Sequence, residues 1–313
     1  MILSFLSKEK VMEKETYRRT RGKKATKKRS KFLKIIGSII LVLLLALAGL
    51  GIFFYQSSKT AINKANTLHL TQAAPVDLKN SETFTTLILG TTHVENKKVL
   101  MTSSFTSTNA PLKKTSLINV QPLLLFPDQT SLYQVYAQGG EEAVSKQFNE
   151  KLGKSTNKIV EINFDNIGKL VEASGGIVVQ NTAAFVSKGY KFEQGSVVLK
   201  TNDEVSAYLH LLNAEDQKGY TERLQDVAMA TFDNLKKPSV LAPHSLAILK
   251  SFPEVINSNT SFSEFMSILS HYHQSLKVNK INVHASKIPG SSVKMITQET
   301  LDKVKGKFDK TFN

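Results

Sequence analysis

The sequence predicts an α/β domain, helices packed on a central sheet, held outside a membrane behind one transmembrane helix. Three observations carry this. Residues 35–55 form an uncharged run of 21 residues. Strand-like and helix-like patterns alternate from residue 84 onward. Positive charge is gathered at one end: residues 1–34 hold thirteen Lys and Arg against Glu9, Glu13 and Glu15, so +10 of the net +15 sits there.

At about 1.5 Å per residue, the run at 35–55 spans roughly 30 Å, the thickness of a bilayer's hydrocarbon core. Phe53, Phe54 and Tyr55 supply an aromatic edge, and only Lys59, Lys64 and Lys79 are basic in the next 25 residues. The positive-inside rule then puts the N-terminus in the cytoplasm and the rest of the chain outside. A cleaved signal peptide, with Ala46-Leu47-Ala48 as its small-residue site, is the alternative. Signal h-regions run about 7–15 residues behind a short n-region, and both segments here are longer. The basic tail of residues 1–34 is thus a topology signal with affinity for anionic headgroups. It does not resemble a folded reader of nucleic acid, which needs its basic face on a structured module. With no Cys in the chain, a disulfide scaffold, thiol catalysis and Cys-ligated metal are excluded.

Residues 56–82 are polar and read as a stem. Residues 84–89 form an apolar strand ending at Gly90, and 99–105 and 115–126 read as two more, turning at Asn109-Ala110-Pro111. Gly139-Gly140 opens a helix with Glu141 and Glu142 in its first turn, where the dipole favours anions. Ala143, Val144, Phe148 and Leu152 form its apolar stripe, and Gly153 its C-cap. A βαβ-like unit follows: a strand at 158–164, a helix at 166–173, a turn at Ser174-Gly175-Gly176 and a strand at 177–179. Helices are expected at 203–212, 221–235, 262–270 and 297–308, with a strand at 280–285. The expected division is a domain at 83–236 and a mostly helical extension at 237–313.

Familiar catalytic motifs are absent. There is no G-x-S-x-G elbow. Leu152-Gly153-Lys154-Ser155 imitates the end of a phosphate loop, but Phe148 stands where its first Gly belongs. Gly49-Leu50-Gly51 lies in the apolar run. His271 and His273, two apart in a helical stretch, point to different faces. His69, His93, His244 and His284 are scattered, so no metal ligand set is proposed.

Three blocks nevertheless form a recognisable series. They are Tyr136-Ala137-Gln138-Gly139-Gly140-Glu141, the run from Val160-Glu161-Ile162-Asn163-Phe164-Asp165 through Gly175-Gly176-Ile177, and Asn202-Asp203-Glu204-Val205-Ser206-Ala207-Tyr208. With the strand at 84–90, their order and spacing over residues 83–236 resemble the LytR-CpsA-Psr family of membrane-anchored cell-envelope proteins. The resemblance implies a central mixed sheet with helices on both sides. It also implies extracellular phosphotransfer, in which a glycopolymer on a polyprenyl pyrophosphate is moved to peptidoglycan. Such chemistry needs cations on the pyrophosphate, carboxylates for Mg²⁺ and an apolar groove for the lipid.

The sequence departs from the family where that chemistry lies. Thr91 and Thr92 stand where the family has an Asp after its first strand. Residues 103–108 carry neither the Arg nor the Asp of an Arg-x-Asp-Thr element, and Pro122-Leu123-Leu124 replaces Pro-Arg-Asp. Tyr208-Leu209-His210-Leu211-Leu212 replaces Tyr-x-Arg-x-Arg. Of a further Asp-x-x-Gly-Arg-x-x-Arg run, only Asp216, Gly219 and Arg223 keep the pattern.

The expectation is an impaired member that binds lipid-linked or wall glycopolymer and assists its attachment, alongside active relatives, with weak or absent Mg²⁺ dependence. An active divergent phosphotransferase and a non-enzymatic structural or regulatory envelope protein are the alternatives. The expected pyrophosphate ligands are Arg223 and Asp216, with Lys218 and His210 as substitute charge. Arg223→Ala should then weaken lipid binding and leave stability nearly unchanged. A tunnel filled by Phe126, Leu125 or Phe185 would favour a ligand-free role.

Overall fold

The computed structural model describes residues 55–71, 73–94, 96–210, 217–235, 237–276, 278–288, 290 and 294–312. The run at 35–54 and the basic tail lie outside the described residues. No helix among the described residues is long and apolar enough to cross a membrane.

The first described element is helix α1 (Tyr55–Ala65), whose Ala61, Ile62 and Ala65 are buried. Strands β1 (Phe84–Val94), β2 (Lys97–Asn109) and β3 (Lys114–Val120) form an antiparallel meander. Helix α2 (Leu132–Leu152) is capped by Ser131 and ends on Gly153 in the left-handed conformation. Strand β4 (Lys158–Asn163) runs parallel to β1, and a 3₁₀ turn at Phe164–Asn166 leads into α3 (Ile167–Ala173). Then come β5 (Ile177–Asn181), β6 (Phe185–Ser187), β7 (Tyr190–Phe192), β8 (Gly195–Leu199), α4 (Asn202–Tyr208), α5 (Gln217–Leu235) and α6 (Pro238–Val255). The chain continues through β9 (Ile256–Ser258), α7 (Phe262–Tyr272), β10 (Val278–Ile281), β11 (Ser286–Lys287), β12 (Lys294–Met295) and α8 (Gln298–Asp309).

The central sheet is mixed, in the order β10-β3-β2-β1-β4-β9, with helices on both sides. Alternation along a strand assigns the faces. On one face, Ile88 of β1 and Val160 and Ile162 of β4 pack with α1, α3, α4, α5, α6 and α7. On the other, Leu87, Leu89 and Ile159 pack with α2 and α8 around Phe105, Phe148 and Phe308.

Four expectations need correction. The stem does not stand apart, because α1 buries its apolar side in the first core and Leu68 and Leu70 pack on the second. No boundary at 236/237 divides the fold, since residues beyond it supply both edge strands, β9 and β10. The βαβ-like reading places β5 in the main sheet, but it pairs with β8 in a separate two-stranded ribbon. Finally, Gly139-Gly140 does not open the helix. It kinks a helix already running from Leu132, with Gly140 at φ 58° and ψ −145°. Only glycine takes that conformation cheaply.

Candidate functional site

The α6/α7 face of the sheet holds a small apolar cavity. Ile62 of α1, Ile88 of β1, Val160 of β4, Phe252 of α6, and Phe265 and Ile268 of α7 line it. Thr86, Thr106, Thr108 and Thr115 add small side chains from the sheet. Strand positions carrying Thr beneath bulkier helix residues leave unfilled space, where Leu or Phe would have packed it shut. Phe126, Leu125 and Phe185 do not line the cavity. Phe126 belongs to the core of the opposite face, and the Phe185 ring lies against Arg223, 4.8 Å away.

Further along the same face of β1, beyond the cavity, stand Gly90 and then Thr92. Gly90 is required by Phe164, whose ring would lie 2.5 Å from any Cβ at that position. The Thr92 hydroxyl donates to Asp165 Oδ1 at 2.5 Å and meets the Tyr220 hydroxyl at 3.1 Å. His93 donates its backbone N–H to both Asp165 oxygens, and its Nδ1 lies 2.5 Å from Oδ2. Burial raises the Tyr220 hydroxyl's pKa, and the Asp165 charge adds to the effect against the Thr92 hydrogen bond. This polar group crowns the C-terminal ends of the parallel pair β1 and β4, the end where α/β sheets place ligands.

Thr91 points the other way, into a second network beneath α2. Its hydroxyl donates to Glu161 Oε1 at 3.1 Å, and Lys98 Nζ lies 2.6 Å from the same oxygen. Lys98 also reaches Glu141 Oε1 at 3.3 Å, and the Tyr136 hydroxyl donates to that atom at 3.2 Å. The α2 kink sets this up, because Glu141 begins the helical segment after Gly140. Glu161 is 1% exposed, and its Oε2 has no hydrogen-bond partner among the described residues. Burial first, then the adjacent Glu141, pushes Glu161 up to about 7 against the pull of Lys98. Glu141 is drawn down to about 2: its own burial opposes this, but Glu161, a backbone N–H and Lys98 outweigh it. The two neighbouring carboxyls are thus pushed in opposite directions, Glu161 upward and Glu141 downward. Burial lowers the Lys98 pKa, but its two carboxylates more than restore it, and it stays above the usual lysine range.

Of the residues expected to bind pyrophosphate, Arg223 and His210 stand side by side. Asp216 lies outside the described residues. Lys218 is on the first turn of α5, and His210 is exposed just after α4. Arg223 is 8% exposed. Its Nε donates to the Tyr208 carbonyl at 2.8 Å and its Nη2 to the His210 carbonyl at 2.9 Å, with the guanidinium over the Phe185 ring. These bonds tie the end of α4 to α5. The expectation that Arg223 is dispensable for stability is therefore corrected, because these carbonyls would lose their donor on its removal. Two polar groups that the sequence does not single out stand on opposite faces of the sheet: Lys98, Tyr136, Glu141 and Glu161 beneath α2, and His93, Asp165 and Tyr220 on the cavity's face.

A divalent cation, as the resemblance implies, would need a set of carboxylates open to it. Among the described residues no group of three or more His, Cys, Asp and Glu could hold one. Glu141 and Glu161 already share the Lys98 ammonium, which neutralises the pair where a cation would bind. The described residues present no such set.

The family model described as the LytR_cpsA_psr family matches residues 52–310. The chain is 24% identical over 301 residues to the polyisoprenyl-teichoic acid–peptidoglycan teichoic acid transferase TagU of Halalkalibacterium halodurans, covering 88% of this chain and 96% of that protein. It is 25% identical to TagU of Enterococcus faecalis, covering 91% and 99%. Its fold is similar to the crystal structure of protein gbs0355 from Streptococcus agalactiae, at a TM-score of 0.55 and 19% identity over 77% of this chain and 91% of that one. The match spans both cores and both faces of the mixed sheet, and by it this chain belongs to the LytR-CpsA-Psr family.

Proposed function

We propose that the protein is a membrane-anchored envelope protein that holds the lipid of a polyprenyl-linked glycopolymer and assists attachment of the polymer to peptidoglycan. The cavity carries this reading. An apolar lining on the same sheet face as a polar group suits a ligand with a hydrocarbon tail and a polar head. The relatives' names point to the same chemistry, polyisoprenyl-linked teichoic acid as donor and peptidoglycan as acceptor. The apolar run at 35–55 ends where α1 begins, and α1 forms one wall of the cavity, so the cavity lies one helix from the membrane that supplies the lipid.

Transfer itself is impaired in this reading. Phosphoryl transfer needs cations free to follow the charge that spreads over the departing oxygens. Arg223 is committed to backbone carbonyls, and Lys98 to two carboxylates. Glu161 has a pKa suited to a general base but is buried beneath Glu141 and Lys98, out of reach of an acceptor hydroxyl. The test is to incubate the full-length protein in detergent with a lipid-linked glycopolymer and a peptidoglycan oligomer. Calorimetry should detect lipid binding that EDTA does not alter, and no phosphodiester product should form. Metal-dependent product formation would favour an active transferase, whereas failure to bind any polyprenyl phosphate would leave a ligand-free envelope protein.

A further inference from the structure

Outside the basic tail, residues 35–313 carry a net charge of +5. Five lysines equal that excess in number, and they gather where α8 ends against the turn between β2 and β3: Lys113, Lys114, Lys303, Lys307 and Lys310. Lys303, Lys307 and Lys310 follow the i, i+4, i+7 spacing that lines side chains along one face of α8. Leu301, Val304 and Phe308 occupy its buried flank. The stripe rises about 10 Å along the helix and then meets the turn. Asn109 Nδ2 donates to the Thr311 carbonyl at 2.8 Å, and the Thr311 hydroxyl donates to Ser116 Oγ at 2.8 Å. These buried contacts hold the helix end that carries Lys310 against the turn that carries Lys113 and Lys114. The nearby acids are already paired, Glu299 with Lys303, and Asp309, on the other flank of α8, with Lys154 at 3.2 Å. Lys113, Lys114, Lys307 and Lys310 make no ion pair among the described residues. The α8 C-terminus itself offers only about half a negative charge. Lys113 adds a separate observation. Its φ is 50°, in the left-handed region that Gly or Asn occupies at less cost, so a lysine stands at the tip of the turn despite the strain.

We propose that this lysine stripe is a docking surface for the phosphate groups of an anionic wall polymer linked through phosphodiesters. The inference rests on the reading of a glycopolymer as the ligand, but not on the cavity. A linear row of cations matches a linear row of phosphates. Each contact releases counterions, so many weak contacts add up along the chain. The stripe thus retains the polymer at the protein independently of its lipid.

The test is photo-crosslinking of the full-length protein, in neutral detergent, to lipid-free polyglycerol phosphate carrying photoreactive groups, with the adducts mapped by peptide. Adducts should fall on residues 110–114 and 303–310. They should also fall on the basic tail of residues 1–34, which serves as an internal standard. Raising the salt from about 0.1 to about 0.5 M should weaken both sets. Lys113→Glu, Lys307→Glu and Lys310→Glu together should lower the domain adducts about tenfold relative to the tail, at an unchanged melting temperature. Lys113→Gln, Lys307→Gln and Lys310→Gln together, which only remove charge, should act the same way by a smaller factor. They serve as the folded control should the charge reversal lose stability. Thr106→Phe, which fills the cavity, should leave every adduct in place, so failure of the lipid reading is distinguishable from failure of this one. Domain adducts that ignore both sets of substitutions overturn the proposal, as do equal adducts from uncharged dextran bearing the same groups. It is also overturned if photoreactive phosphatidylglycerol in anionic vesicles labels the stripe and the polymer does not, which would assign the stripe to a membrane surface.

Discussion

Arg223 shows how a residue type can be read correctly and its use misread. It is one of three positions in its run that keep the family pattern, which suggests a phosphate ligand. The fold instead places its guanidinium on the carbonyls of Tyr208 and His210, with little exposure. Hydrogen bonds to a charged donor contribute about 1.5–3 kcal/mol, so Arg223→Ala should lower the melting temperature by several degrees, with Arg223→Lys recovering part of it. An unchanged melting temperature would return Arg223 to the ligand role. The carboxyl pair makes a second prediction, in pH. Folding raises Glu161 from 4.5 to about 7, so the folded state holds its proton more tightly and stability should decline as pH rises across that interval. Glu141, drawn from 4.5 to about 2, contributes stability that is lost as pH falls across its own interval. Urea unfolding of Glu161→Gln should show the upper slope flattened, and a slope equal to that of the unaltered protein would contradict the assignment. None of this network was legible in sequence. Thr91, Lys98, Tyr136, Glu141 and Glu161 come from four elements, and only strand register and the α2 kink bring them together.

At the scale of elements, strong local signals were readable and pairings were not. The apolar runs of β1 and β4, the stripe of α2 and the Gly153 cap each declare themselves within one stretch of chain. The three-residue strand β9 follows directly on α6 and has no pattern of its own; it is a strand because β4 offers it an edge. The same limit misplaced β5, since alternation identifies a strand without naming its partner. Glycine usually marks an end of a helix, so the Gly139-Gly140 pair suggests a beginning, and here it marks a bend. Gly140→Ala tests the bend: the space around it is open, so the strain of its positive φ is the sole penalty, about 1–3 kcal/mol. Thermal unfolding should show that loss, together with a weakened pH dependence as Glu141 shifts from Glu161. Gly90→Ala should cost a similar amount for a different reason, the collision with Phe164.

For the molecule as a whole, both edge strands of the central sheet and helices α6, α7 and α8 come from the last quarter of the chain. A chain ending at residue 235 loses β9, β10 and helices α6, α7 and α8, so it should fail to give a cooperative unfolding transition. A well-folded truncation would restore the division at 236. The anchor and outward orientation proposed from the run at 35–55 predict that protease added to intact cells removes the domain; cleavage only after lysis would contradict them. The central claim is that a polyprenyl chain lies in the cavity between the sheet and helices α1, α6 and α7. The most direct measurement is photo-crosslinking of the full-length protein with a polyprenyl phosphate carrying a photoreactive group in its tail, followed by mapping of the adducts. The account predicts adducts on Ile88, Val160, Phe252 and Phe265, lost on Thr106→Phe, which fills the space. Adducts confined to exposed residues such as Val178 and Val198 on the β5–β8 ribbon, and indifferent to Thr106→Phe, would contradict it.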